Sequence, residues 1–290
     1  MAIACMHLGA PVWSCPDWAG TLWPAATKPA AFLSHYAKVF NAVEGNTTFY
    51  AVPRRETVAR WRDDTPPGFR FCFKLPRTIT HDKALVGAER ELGEFVELLA
   101  LLGDRLGPTM IQLPPTFGPR GLATLAATLE RLPASMPFAV EPRHLGFFDG
   151  AAAHRDFEAL LRERGVDRVI FDTQVLHASR DRDPMVVAAR ARKPNLPVLE
   201  VATGSNPVVR IVGVSDAAAC RPAFERWAVR AAAWIAQGLQ PTFFVHTPDD
   251  RQVPRLAAQL HAIVGAHADV GSLPPLGIDH RAQQISLFES

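Results

Sequence analysis

Short apolar runs alternate along the whole chain with longer stretches that place an apolar residue every three or four positions. The runs predict strands over Ile3–Leu8, Asn41–Asn46, Phe69–Lys74, Thr109–Leu113, Pro137–Glu141, Arg168–Asp172, Val208–Gly213 and Thr242–His246. Four to seven residues with little polar alternation is the pattern of a strand buried on both faces, as in a parallel sheet. Between the runs, Leu92, Phe95, Val96 and Leu99 share one helical face with Gly103 beyond it, and Leu122, Leu125, Leu129 and Leu132 share another that ends at Pro133. Phe224, Trp227, Ala231 and Trp234 before Gly238, and Val253, Leu256, Leu260 and Ile263 before Gly265, repeat the arrangement.

Eight strand–helix cycles predict a single (β/α)8 TIM-type barrel over residues 1–265 rather than an open doubly wound sheet. No glycine-rich phosphate loop follows a strand, so no nucleotide cofactor is indicated. The rhythm breaks once, after strand 6. Residues 173–207 form a long basic excursion carrying Arg180, Arg182, Arg190, Arg192 and Lys193, with a short helix expected near Pro184–Arg192, packed over the barrel mouth. Residues 266–290, rich in Gly, Pro and polar side chains, read as a tail.

Composition narrows the reading without redirecting it. At 290 residues, 48% hydrophobic and 21% charged, the chain suits one large α/β domain. Its formal charge of +2 comes from 31 basic and 29 acidic residues, so any pull on an anionic partner must be local. Cys5, Cys15, Cys72 and Cys220 lack paired metal-site spacing and read as reduced thiols. No basic leader and no run of about 20 apolar residues is present, which places the protein in the cytoplasm and away from the membrane.

The chemistry concentrates where apolar runs end. Glu44, Glu141, Asp172 and His246 each close one, and in a parallel barrel all such ends open on one rim, where barrel enzymes keep their active sites. After Glu44, the run Asn46-Thr47-Thr48-Phe49-Tyr50 offers Asn46 to a substrate and Tyr50 as a pocket wall, although Asn and Thr also serve turns. Lys74 ends strand 3, and His81 follows it by a short loop. Lys74 fits either an anion or a salt bridge to Glu44, and His81 either proton transfer or a backbone contact. The densest cluster is Glu141-Pro142-Arg143-His144, an acid, a guanidinium and an imidazole at one strand end. These can serve as base, anion clamp and second proton carrier, or can simply fasten the loop. Arg210 joins from strand 7, and His246 with Asp249 from strand 8.

Within the tail, Gln284-Ile285-Ser286-Leu287-Phe288 looks like the pentapeptide by which bacterial replication and repair proteins dock on the sliding clamp. Leu287 and Phe288 would fill a pocket while Gln284 fixes the backbone. The alternative is that both apolar side chains pack on the barrel.

Taken together, Pro11-Val12-Trp13-Ser14, Val43–Pro53, Phe69–His81, Ile111–Phe117, Val140–His144 and Ser286-Leu287-Phe288 resemble the YecE-like family, a domain-of-unknown-function family. The resemblance implies a TIM-type barrel and supplies no reaction. Many relatives look to carry Asn-Asn where this chain has Val245-His246. The fold is also similar to metal-dependent nucleases and sugar isomerases, but the chain lacks the several strand-end histidines of a zinc cluster. A carboxylate set of Glu44, Glu141 and Asp172 suits Mg or Mn better than Zn.

These readings converge on a hydrolase or transferase for a phosphate-bearing substrate, nucleic acid included, with metal assistance. Glu141, Lys74 and His246 would act in catalysis, and Arg143, Arg210, Asn46, Tyr50, His81 and His144 would hold substrate. Two alternatives stand beside it: a sugar or sugar-phosphate isomerase or lyase, and a non-catalytic adaptor that carries the tail to DNA.

Overall fold

Every strand is parallel to its neighbours, and the order β3-β2-β1-β8-β7-β6-β5-β4 leaves only the β3–β4 seam to close. The computed structural model describes residues 5–277. Its strands are β1 His7–Ala10, β2 Ala42–Gly45, β3 Arg70–Phe73, β4 Thr109–Gln112, β5 Phe138–Glu141, β6 Asp167–Asp172, β7 Val208–Val212 and β8 Thr242–His246. The seam is stitched by isolated bridges, Phe71 with Leu106 and Lys74 with Met110, and by Leu75 N donating to Met110 O at 2.9 Å. The chain is therefore the (β/α)8 barrel that its periodicity predicts.

Seven of the eight strands lie within two residues of their predicted bounds. The first, expected over Ile3–Leu8, spans His7–Ala10, running on through Gly9, while Ile3 and Ala4 lie outside the described residues. Gly9 belongs to the strand because β1 and β2 approach closely there: a Cβ would sit 1.9 Å from the Ala42 carbonyl oxygen.

Helices cover the outside. Leu92, Phe95, Val96 and Leu99 are buried on Glu89–Leu99, and Phe224, Trp227, Ala231 and Trp234 on Ala217–Ala236, so the apolar stripes read from sequence are the faces laid on the sheet. Each such large side chain, taken fully out of water, contributes about 1.5–3 kcal/mol. The expected helix in the excursion spans Pro184–Arg192, started by Pro184 and capped by Asp183 Oδ1, which accepts from Met185 N at 2.7 Å.

A smaller apolar cluster, separate from the main core, plugs the barrel: Ala42, Cys72, Met110, Ala139, Val169, Val208 and Phe244. Because side chains alternate across a strand, the residue two positions further on faces the same way, one layer nearer the C-terminal mouth. That layer is Glu44, Lys74, Gln112, Glu141, Phe171, Arg210 and His246. One apolar floor and one polar ceiling thus follow from a single periodicity.

All four cysteines are unpaired, with Cys72 and Cys220 buried. Residues 266–277 are irregular, with Val270, Leu273 and Leu276 packed on the core. No described helix is long and apolar enough to cross a membrane.

Candidate functional site

Arg210 organises the polar layer. Its Nε and Nη2 donate to Glu44 Oε2 and Oε1, both at 2.7 Å, and its Nη1 donates to Glu141 Oε2 at 2.6 Å. The far oxygen of Glu141 accepts from Arg143, while Glu44 Oε1 lies 3.2 Å from Lys74 Nζ and Oε2 lies 3.0 Å from His246 Nε2. The Phe171 ring carries the guanidinium carbons of Arg143 and Arg210 at 4.3 and 4.5 Å from its centroid and Lys193 Nζ at 5.6 Å. Glu44, Glu141, Lys74, Arg210 and His246 are all buried.

This geometry sets the protonation states. Burial is the largest effect on both acids and works to raise their pKa, yet the cations overcome it. Arg210 and Lys74, helped by the hydrogen bond from His246, hold Glu44 well below its ordinary range, and Arg143, Arg210 and Lys74 bring Glu141 to about 2. For His246, burial dominates and lowers its pKa to about 4. A neutral ring beside a carboxylate, which can only accept, must carry its hydrogen on Nε2. Lys74 is lowered to about 8 by burial and then by Arg210, with Glu44 and Glu141 opposing. Lys193 is brought to about 8 by burial and Arg210.

Two clefts open above the layer. One of about 350 Å³ is lined by Asn46, Lys74, Lys193, Arg210, His246 and Asp250, and the other, of about 280 Å³, by His81, Gln112, Arg143 and again Lys193. Arg192, the last residue of the Pro184–Arg192 helix, and Lys193 after it border both. Asn46 borders the first cleft while its Nδ2 donates to Pro11 O at 3.1 Å. His81 borders the second, its Nδ1 2.9 Å from Thr80 Oγ1 and its ring edge-on to Phe49. Burial, then Arg77, lowers its pKa.

Several sequence expectations are corrected here. Asp172 reaches the same rim but turns the other way, since Phe171 takes the inward position on β6. Its carboxylate accepts from Arg226 Nη2 at 2.5 Å, Trp227 Nε1 at 2.8 Å and Gln174 N at 3.0 Å in the helix layer. It cannot join Glu44 and Glu141 on a metal. Those two acids in turn offer their oxygens to cationic donors already in place, and no three His, Cys, Asp or Glu side chains among the described residues are grouped to hold an ion. The donor set does not fit a divalent metal. Both oxygens of Glu141 are taken, by Arg143 and by Arg210, and these cations bring its pKa to about 2 against burial, an arrangement that favours a charge anchor over a general base. His144 caps its own loop, with Nδ1 accepting from Gly146 N at 3.0 Å. Tyr50 is 80% exposed and lines a separate outer groove with Phe49, Pro76 and Arg77. The tail residues Gln284, Leu287 and Phe288 lie outside the described residues.

The sequence reading missed Gln112 and Asp250 as lining residues and Phe171 as the ring that carries three cations, and it named Lys193 only as part of a basic segment. Gln112 was findable as a polar break in an apolar strand, two positions past Met110.

The pattern described as "Protein of unknown function DUF72" matches residues 7–277. The chain belongs to this family. It is 38% identical over 284 residues to the UPF0759 protein YecE of Escherichia coli strain K12, covering 98% of this chain and all of that one. The YecE protein of Escherichia coli O157:H7 matches over the same length at the same identity. Crystal structures of DUF72 family proteins share the fold. The one from Enterococcus faecalis V583 has a TM-score of 0.69 at 18% identity, covering 94% of this chain and all of that one. The one from Thermotoga maritima MSB8 has a TM-score of 0.68 at 21% identity, covering 90% and 99%. Family and architecture agree, and neither brings a reaction with it.

Proposed function

We propose that the family's barrel in this chain is an enzyme that binds a small phosphate-bearing molecule at its mouth and moves protons on it, in the manner of a sugar-phosphate isomerase or lyase. The observation that carries this is the charge of the clefts. Lys74, Arg143, Arg192, Lys193 and Arg210 face Glu44, Glu141 and Asp250, an excess of two positive charges, which a phosphate dianion would cancel. A volume of about 350 Å³ suits a few carbon atoms and one phosphate better than a polymer strand. Lys74, with its pKa near 8, is the proton carrier, and Arg143 and Lys193 hold the anion. Metal-assisted phosphate-ester cleavage loses support because the donor set does not fit a metal.

The complete pairing of Glu44, Arg210 and Glu141 favours one rival, a non-catalytic barrel whose mouth is a structural plug. Calorimetric titration with inorganic phosphate separates the two. One site per chain is expected, weakened about 10- to 100-fold in Lys193→Met, the worth of a charge-assisted hydrogen bond, with the urea midpoint unchanged. No binding at millimolar phosphate would leave the plug.

A further inference from the structure

Lysine is scarce in this chain: of 31 cationic residues, the lysines are Lys28, Lys38, Lys74, Lys83 and Lys193, and the other 26 are arginine. Lys28 and Lys38 are exposed, and Lys83 pairs with Glu91 at 2.5 Å on the surface. The remaining two line the same cleft beside Arg210 and His246. An arginine at either place would grip an anion with more hydrogen bonds and keep its charge at every pH. A lysine there offers what arginine cannot, a nitrogen that gives up its proton and bonds to carbon.

We propose that Lys74 is a covalent catalyst whose Nζ condenses with the carbonyl group of a small anionic substrate to form an imine. This rests on the anion-binding reading above. Geometry selects Lys74 over Lys193. Lys74 directly follows β3, is 7% exposed and has its Nζ fixed 3.2 Å from Glu44 Oε1, whereas Lys193 sits half-buried on the excursion. With a pKa near 8, about a tenth of the molecules carry the free amine at pH 7.

The step balances without an oxidant or reductant. Starting from the ammonium, a carbon–nitrogen double bond forms and the carbonyl C=O bond breaks. Its oxygen leaves as water with two of the three Nζ protons. The product is an iminium cation, so positive charge remains opposite Glu44 and the buried carboxylate is never stranded. That cation withdraws electrons from the adjacent carbon, which eases loss of a proton or breakage of a carbon–carbon bond there. The substrate class is therefore a phosphorylated ketone or aldehyde, or a 2-oxo acid.

The full chain is incubated with dihydroxyacetone phosphate, and separately with pyruvate, then treated with sodium borohydride, which reduces an imine to a stable secondary amine. Intact mass and peptide mapping should show one adduct, the mass of the carbonyl compound less one oxygen atom, on Lys74. Lys74→Arg should cut it at least 20-fold, and Lys193→Arg should retain it on Lys74. Modification of Lys193 instead, or spread evenly over Lys28, Lys38 and Lys83, overturns the proposal. So does no adduct with either compound while inorganic phosphate still binds, an outcome that leaves the anion-binding reading intact. An adduct on Lys74 without phosphate binding sustains the imine and removes the anion reading, and absence of both removes both.

Discussion

Replacing Arg210 by methionine tests the charge arrangement at its centre. The change keeps much of the side-chain volume and removes three hydrogen bonds, two from Glu44 and one from Glu141, leaving both acids buried. Removing one partner of a buried ion pair costs about 3–5 kcal/mol. Arg210 is one of the cations, after Arg143 and ahead of Lys74, that bring Glu141 to about 2 against burial, so part of that hold goes with it. The sign of the pH dependence makes the test specific. In the parent protein both acids have depressed pKa values, so their contribution is fully present above pH ~4.5 and is lost as pH falls toward 2. In Arg210→Met, burial is opposed by less positive charge and the acids shift upward, so protonating them relieves the variant. Urea unfolding from pH 4 to 8 should show a deficit of about 3–5 kcal/mol at pH 7 that narrows steadily toward pH 4. A deficit under about 1 kcal/mol, or one that does not change with pH, would refute the buried compensated cluster.

Asp172→Ala should lower stability by about 2–4 kcal/mol, because Trp227 Nε1 loses its acceptor inside the helix layer, with phosphate affinity unchanged by calorimetry. Arg143→Ala should both weaken phosphate binding, by about 1–3 kcal/mol, and lower the urea midpoint, since Arg143 also neutralises Glu141. Asp167, at the opposite end of the barrel, is raised by burial to about 7 even though it accepts from Asn206 N at 3.1 Å. The folded protein then holds a proton that the unfolded chain has released, so thermal stability should fall as pH rises from about 4 through 7, and Asp167→Asn should flatten that slope across a pH series of melting curves.

Most of the fold was legible because each strand is an apolar run and each helix carries a stripe, and a barrel needs little else. The site was legible to the level of the strand end and no further. A run closing on Asp172 looks from sequence like a run closing on Glu141, yet inward and outward positions alternate, and β6 places Asp172 on the outer face while β5 places Glu141 on the inner one. Two positions before Asp172 stands Ile170, as apolar as the Val169 behind Phe171, so the sequence pattern alone does not separate the two faces of β6. Lys193 was out of reach, since its place over Phe171 depends on how the excursion folds back and no local pattern encodes that. What weighs against the metal expectation is partners rather than residue types: the acids are there, and so are the guanidinium groups that occupy them.

Arg210 has a mechanical consequence as well. Glu44, Glu141 and Arg210 stand on β2, β5 and β7, which are three, two and three strands apart around the ring. Backbone ladders join each strand only to its immediate neighbours and let a cylinder flatten. Arg210 adds two struts across the mouth, from β7 to β2 and from β7 to β5, and both resist that flattening. The mouth is therefore stiff, and adaptation to different ligands falls to the chain laid over it, from Pro184 to Lys193.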